Sequence, residues 1–109
     1  MAGDLFIGTL ELLILRTVQN QSIHGYGIAR WIRERTEGVL DVEQGALYPA
    51  LHRLNRRNWI KGEWGENETG HRARFYSLTS KGKTALGREE ARWEEYAQAV
   101  YAVLKWGEA

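Results

Sequence analysis

A chain of 109 residues, 43% hydrophobic and 27% charged with a mean hydropathy of −0.50, has the size and balance of one small globular domain and no room for a second core. The absence of cysteine excludes disulfides, thiolate catalysis and cysteine-ligated zinc, and fits a reducing compartment. The net charge of +1 is unevenly spread: residues 1–51 and 84–109 each carry −2, whereas residues 52–83 carry +5, as expected where a nucleic-acid surface is local, with a solvated charged face the equal alternative.

The opening Met1-Ala2-Gly3-Asp4 lacks the positive segment of a secretory signal, and the apolar run from Leu5 to Val18 is broken by Glu11 and Arg16 and is too short to cross a bilayer. A cytoplasmic protein without a membrane partner is expected. Thr9 is the expected N-cap of a first helix, in which Leu10, Leu13, Ile14 and Val18 recur on one face. Asn20-Gln21-Ser22 is turn chemistry. Gly25-Tyr26-Gly27 opens a second helix with Ile28, Ala29 and Ile32 inward, ended near Gly38 by a left-handed glycine.

A third helix is expected from about Glu43 to Asn58, with Leu47, Leu51 and Leu54 inward at intervals of four and three. Trp59 to Trp64 and Arg72 to Leu78 favour strands, joined by the exposed loop Gly65-Glu66-Asn67-Glu68-Thr69-Gly70. Thr79 caps a last helix that continues to roughly Trp106. The fold class expected is mainly α with a small β-ribbon: a winged helix-turn-helix over residues 1–79, whose third helix enters the DNA major groove, plus a C-terminal dimerisation helix over 80–109. The two parts form one compact unit.

On the third helix the face away from the leucines offers Gln44, Gly45, Pro49, His52, Arg53 and Arg56. Gln44 lies in the N-terminal turn and can pair bidentately with adenine. Gly45 lets the backbone approach a duplex closely, unless it is simply a helix-entry glycine. His52 and Arg53 stand within reach of bases or backbone. Arg56, Arg57 and Lys61 suit phosphates, with a solvated helix end the alternative for Arg57. Arg72 and Arg74 share one side of a strand and can aim at a minor groove or its phosphates, while Tyr76 and Leu78 of the same parity should be core.

The last helix repeats Leu86, Trp93, Ala97, Val100 and Leu104 at intervals of 7, 4, 3 and 4, a heptad stripe widened by Tyr96, Tyr101 and Trp106. A small domain buries a modest share of its surface, so a second copy is the expected cover, making the protein a homodimer. Trp93 is the candidate contact for a small aromatic effector at that seam. The histidines His24, His52 and His71 fall in separate elements without metal-ligand spacing, and no phosphate loop or catalytic constellation occurs, so neither cofactor nor enzymatic activity is expected.

Ile23-His24-Gly25-Tyr26-Gly27-Ile28, then Gln44-Gly45-Ala46-Leu47-Tyr48-Pro49-Ala50-Leu51-His52-Arg53-Leu54, then Trp59-Ile60, Arg72 to Leu78 and Thr79-Ser80-Lys81-Gly82 together resemble the PadR family of transcriptional regulators, in the right order over about residues 9–104. The short C-terminus resembles the subfamily with a single terminal helix. The resemblance implies a dimeric winged helix that binds double-stranded DNA, usually a repressor released by a small molecule or another signal. It favours a phosphate contact for Tyr48 over a purely core role. Departures are Ala46, where a hydroxyl is common, Asn55, where an acid is common, and Glu66 and Glu68, which phosphates would repel. A docking module without DNA contact, or a ligand-binding dimer, is the alternative. Docking would call for an acidic or apolar third helix, and His52, Arg53, Arg56 and Arg57 stand there instead.

Overall fold

The computed structural model describes residues 7–107, with α1 (Ile7–Thr17), β1 (Ile23–His24), α2 (Gly25–Arg35), α3 (Gln44–Arg56), β2 (Ile60–Glu66), β3 (Arg72–Leu78) and α4 (Ser80–Leu104). The three strands form one antiparallel sheet in the order β1-β3-β2. It is a mainly helical winged-helix fold with a small wing sheet and a long C-terminal helix, as the order of elements predicts. The sheet gains a strand that sequence patterning does not reveal: Ile23 and His24 pair with Tyr76 and Phe75, too short a segment to show alternation.

Each helix closes for a local reason. α1 already includes Thr9, so that residue is not its N-cap; the chain enters the helix by Ile7. Its C-terminal carbonyls are met by side chains, Thr17 Oγ1 donating to Leu13 and Gln21 Nε2 to Thr17. α2 is capped by His24, whose Nδ1 accepts from Gly27 N–H at 3.0 Å. α3 starts one residue later and stops two residues earlier than expected, where Asn58 takes a left-handed φ of 64° that turns the chain into β2. α4 opens on Thr79, whose hydroxyl accepts from Gly82 N–H and donates to the Asn58 carbonyl at 2.6 Å.

The core sits between the helices and the root of the sheet. Ile14, Leu15 and Val18 meet Ile28 and Ile32 of α2, Leu47, Ala50, Leu51 and Leu54 of α3, Ile60 of β2 and Leu86 of α4. Tyr76 and Leu78 pack against this cluster half-buried, as their parity predicts. Leu86 is 2% exposed, which corrects its assignment to a dimer seam: its side chain is committed to this domain's own core. Beside it Gly82 is pressed against the chain where β2 begins, so that a Cβ there would lie 1.9 Å from the Trp59 carbonyl oxygen.

Beyond this point α4 leaves the body. The 57 Å long axis of the molecule exceeds twice its 21 Å shortest dimension, and the distal turns carry Trp93, Tyr96, Val100, Tyr101, Val103 and Leu104 exposed, with Trp106 exposed just past the helix end. Among the described residues no helix is long and apolar enough to cross a membrane.

Candidate nucleic-acid interface

The outward face of α3 follows from its inward one. Leu47, Ala50, Leu51 and Leu54 are buried, so Gln44, Gly45, Tyr48, Pro49, His52 and Arg56 are exposed on the other side. No carboxylate occurs anywhere in the helix. Pro49 has no N–H to offer the carbonyl of Gly45 four residues earlier. A Cβ at Gly45 would meet nothing within 4 Å. The helix therefore presents bare backbone and a free acceptor beside Gln44. Tyr48 is half in each world: its ring lies against α2, 3.0 Å from a Cβ built on Gly25, yet 46% of the residue is exposed.

Arg53 is placed otherwise than expected. Its Nε donates to Glu11 Oε2 at 2.6 Å, and Arg57 Nη1 donates to Glu11 Oε1 at 2.8 Å. Glu11 is well covered, so this fork clamps α1 to the C-terminal end of α3. Arg53 is corrected from a groove contact to a structural tie. Arg57 also lies over Trp59 at 5.1 Å, with Arg88 over the same ring at 5.7 Å.

In the wing, the register brings Trp64 opposite Arg74 and Glu66 opposite Arg72. Both guanidinium groups lie over the Trp64 indole, at 4.2 Å for Arg72 and 5.5 Å for Arg74, and Arg74 passes across Gly62, where a Cβ would meet its Nε at 2.4 Å. The indole holds two flexible cations in one direction, lowering the entropy lost when they meet an anion. Lys61 pairs with Ser77 and so lies on the opposite face of the ribbon from Arg72 and Arg74, near the wing's root. Sequence reasoning passes over Trp64; pairing two seven-residue strands across the intervening loop would have brought it to Arg74.

It also passes over His24 and misjudges Glu68. Glu68 turns back to the body, 3.1 Å from His24 Nε2 and 3.5 Å from Arg30 Nη2. Its carboxyl is held below the usual carboxylate range, first by a backbone hydrogen bond and then by His24. Burial pushes the Tyr76 hydroxyl above its ordinary value, against a smaller opposing effect of Arg74. Gln44, Gly45, Tyr48, Pro49, His52 and Arg56 thus share one helix face, while Arg72 and Arg74 share one wing face. Trp93, Ala97, Val100 and Leu104 stand apart on the distal part of α4, with Ala97 half-buried and the Trp93 ring tilted 38° to that of Tyr96 at 5.9 Å between centres.

An exposed, carboxylate-free third helix beside a two-armed basic ribbon defines the winged helix-turn-helix class. The sequence profile of the Transcriptional regulator PadR-like family matches residues 14–88, and the chain belongs to that family of transcriptional regulators, which are not enzymes. It is similar to a PadR-like transcription factor of Bacteroides fragilis, 31% identical with a TM-score of 0.73, covering 92% of this chain and 94% of that one. A transcriptional regulator of Clostridium thermocellum superposes with a TM-score of 0.81 at 26% identity, over 90% of this chain and 95% of that one. An uncharacterised protein of Lysinibacillus sphaericus is 28% identical over 98 residues, 90% of each chain.

Proposed function

We propose that this regulator binds a palindrome-like operator in double-stranded DNA as a homodimer and acts there as a repressor. The observation that carries this reading is the outward face of α3, which carries Gln44, Tyr48, His52 and Arg56 and no carboxylate. In the complex Gln44 and His52 read base edges, Gly45 and Pro49 allow the backbone close approach, and Tyr48 and Arg56 meet phosphates. Arg72 and Arg74, steadied by Trp64, reach along the flanking minor groove, and Lys61 adds a contact at the root of the wing. Residues 1–79 serve DNA and residues 80–109 serve dimerisation through Trp93, Ala97, Val100 and Leu104. The role calls for a cytoplasmic location.

The solvent-facing Trp93 and Tyr96 ring pair supports a second element, a small aromatic effector held between the two copies. Selection of bound duplexes from a random pool tests the main reading and yields the operator together. Affinity for the selected site should then fall by about 10³–10⁵ between 50 and 200 mM salt, for about 6–10 phosphate contacts per dimer. A selected duplex indifferent to salt refutes the reading.

A further inference from the structure

The part of the wing beyond β1 is a two-stranded ribbon, because β1 covers only Tyr76 and Phe75 of β3. Such a ribbon twists and flexes readily unless something else holds it. Its tip is internally stiff. Asn67 Oδ1 accepts from Thr69 N–H, Thr69 Oγ1 and His71 N–H at 2.9–3.1 Å, and Gly70 N–H donates to the Asn67 carbonyl. Among the described residues, the polar side-chain bonds that tie this stiff tip to the body are both made by Glu68, to His24 and Arg30.

The His24 end is fixed in turn. Because Nδ1 accepts from Gly27 N–H, the ring carries its proton on Nε2 and donates it to Glu68 Oε1. His24 is 8% exposed, and its ring packs edge-on against Phe75 at 5.4 Å. Arg30, the second partner, lies over Tyr26 of the same helix at 5.8 Å. The carboxylate therefore grips the first turns of α2, the helix that packs against α3.

We propose that Glu68 is a positioning residue for DNA recognition: its bond to His24 latches the wing tip to α2 and so fixes the direction in which Arg72 and Arg74 approach the duplex relative to α3. The proposal rests on the DNA-binding reading above, and it makes a prediction of unusual sign. A carboxylate beside phosphates is repelled, so its removal alone should tighten binding. Removal of a latch should weaken it.

The test uses the full chain and a fluorescein-labelled duplex selected from the random pool. Glu66→Ala, two residues away and without an ion pair among the described residues, should bind about twofold more tightly, through charge alone. Glu68→Ala should bind about fivefold more weakly despite losing the same charge. Glu68→Gln also loses the charge but keeps an oxygen that accepts from His24, and should return close to the wild-type affinity. Glu68→Ala binding as tightly as wild type or better, or Glu68→Gln as weak as Glu68→Ala, overturns the latch. Amide order parameters at Thr69, Gly70 and His71 in the free protein, which fall when the whole tip swings against the body, decide the point without DNA: lower values in Glu68→Ala than in wild type and Glu68→Gln support the latch, and equal values refute it. A wild-type protein for which no duplex can be selected would refute the DNA reading, while the order parameters of the free protein would still judge the latch.

Discussion

The two halves of α4 share one continuous helix and nearly the same apolar spacing, yet they live in opposite surroundings. In the first turns Gly82, Ala85 and Leu86 are buried among α1, the sheet root and the rest of the core. In the last four turns the large residues face solvent, with Leu104 at 66% exposure, and Trp106 just past the helix end is 85% exposed. The difference teaches that periodicity reports which face of a helix is apolar but not which neighbour covers it. The proximal half completes a fold; the distal half is apolar surface left open to solvent among the described residues.

The comparison can be broken at its steepest point by Gly82→Ala. The added carbon would overlap the Trp59 carbonyl oxygen and crowd Leu78, and neither the helix start nor the strand can yield cheaply. A loss of at least about 4 kcal/mol in denaturant unfolding is expected. Leu86→Ala should cost about 3 kcal/mol by leaving a cavity in the same core, also read from unfolding. The matching change in the distal half has a different phenotype. Trp93→Ala with Leu104→Asp should yield a folded monomer at micromolar concentration where the wild type sediments as a dimer, because a carboxylate in that seam would be desolvated. A wild type that sediments as a monomer removes the proposed seam.

Smaller effects sharpen the picture of the body. Glu11→Ala should lower stability by about 1 kcal/mol, since both of its arginine partners are partly exposed and solvent screens the pairs. It should also steepen the salt dependence of DNA binding, because Arg53 and Arg57 are released toward phosphates. The smallest effect concerns acid. A depressed carboxyl at Glu68 contributes stability that is present above its ordinary value near 4.5 and is lost as pH falls through the lower folded value. Amide order parameters of the wing tip should therefore begin to fall below that pH while those of the core do not.

The helices were legible because each carries its leucines or isoleucines at helical spacing, and the wing because aromatic and branched residues flank a polar loop. What escaped was long-range. Arg53 looks like a groove contact until its partner Glu11, 42 residues away, is brought beside it. Glu68 looks repulsive until the ribbon folds it onto His24, 44 residues earlier. Leu86 belongs to the heptad stripe by spacing, and only the point at which α4 departs from the body separates it from Trp93. Local patterns name the face; tertiary contacts assign the partner.

The joint at Trp59 has a mechanical consequence. Thr79 donates its N–H to the Trp59 carbonyl and its hydroxyl to Asn58, and Gly82 lies against that same carbonyl oxygen. The end of α3, the start of β2 and the root of α4 are thereby riveted at one corner, with no hinge between them. In a dimer α4 is then a crank about 37 Å long. A change in the crossing angle at its far end cannot be absorbed at the root and must turn the reading head as a rigid body, so that a few degrees of torque on the distal aromatics become ångströms of misregister in the groove.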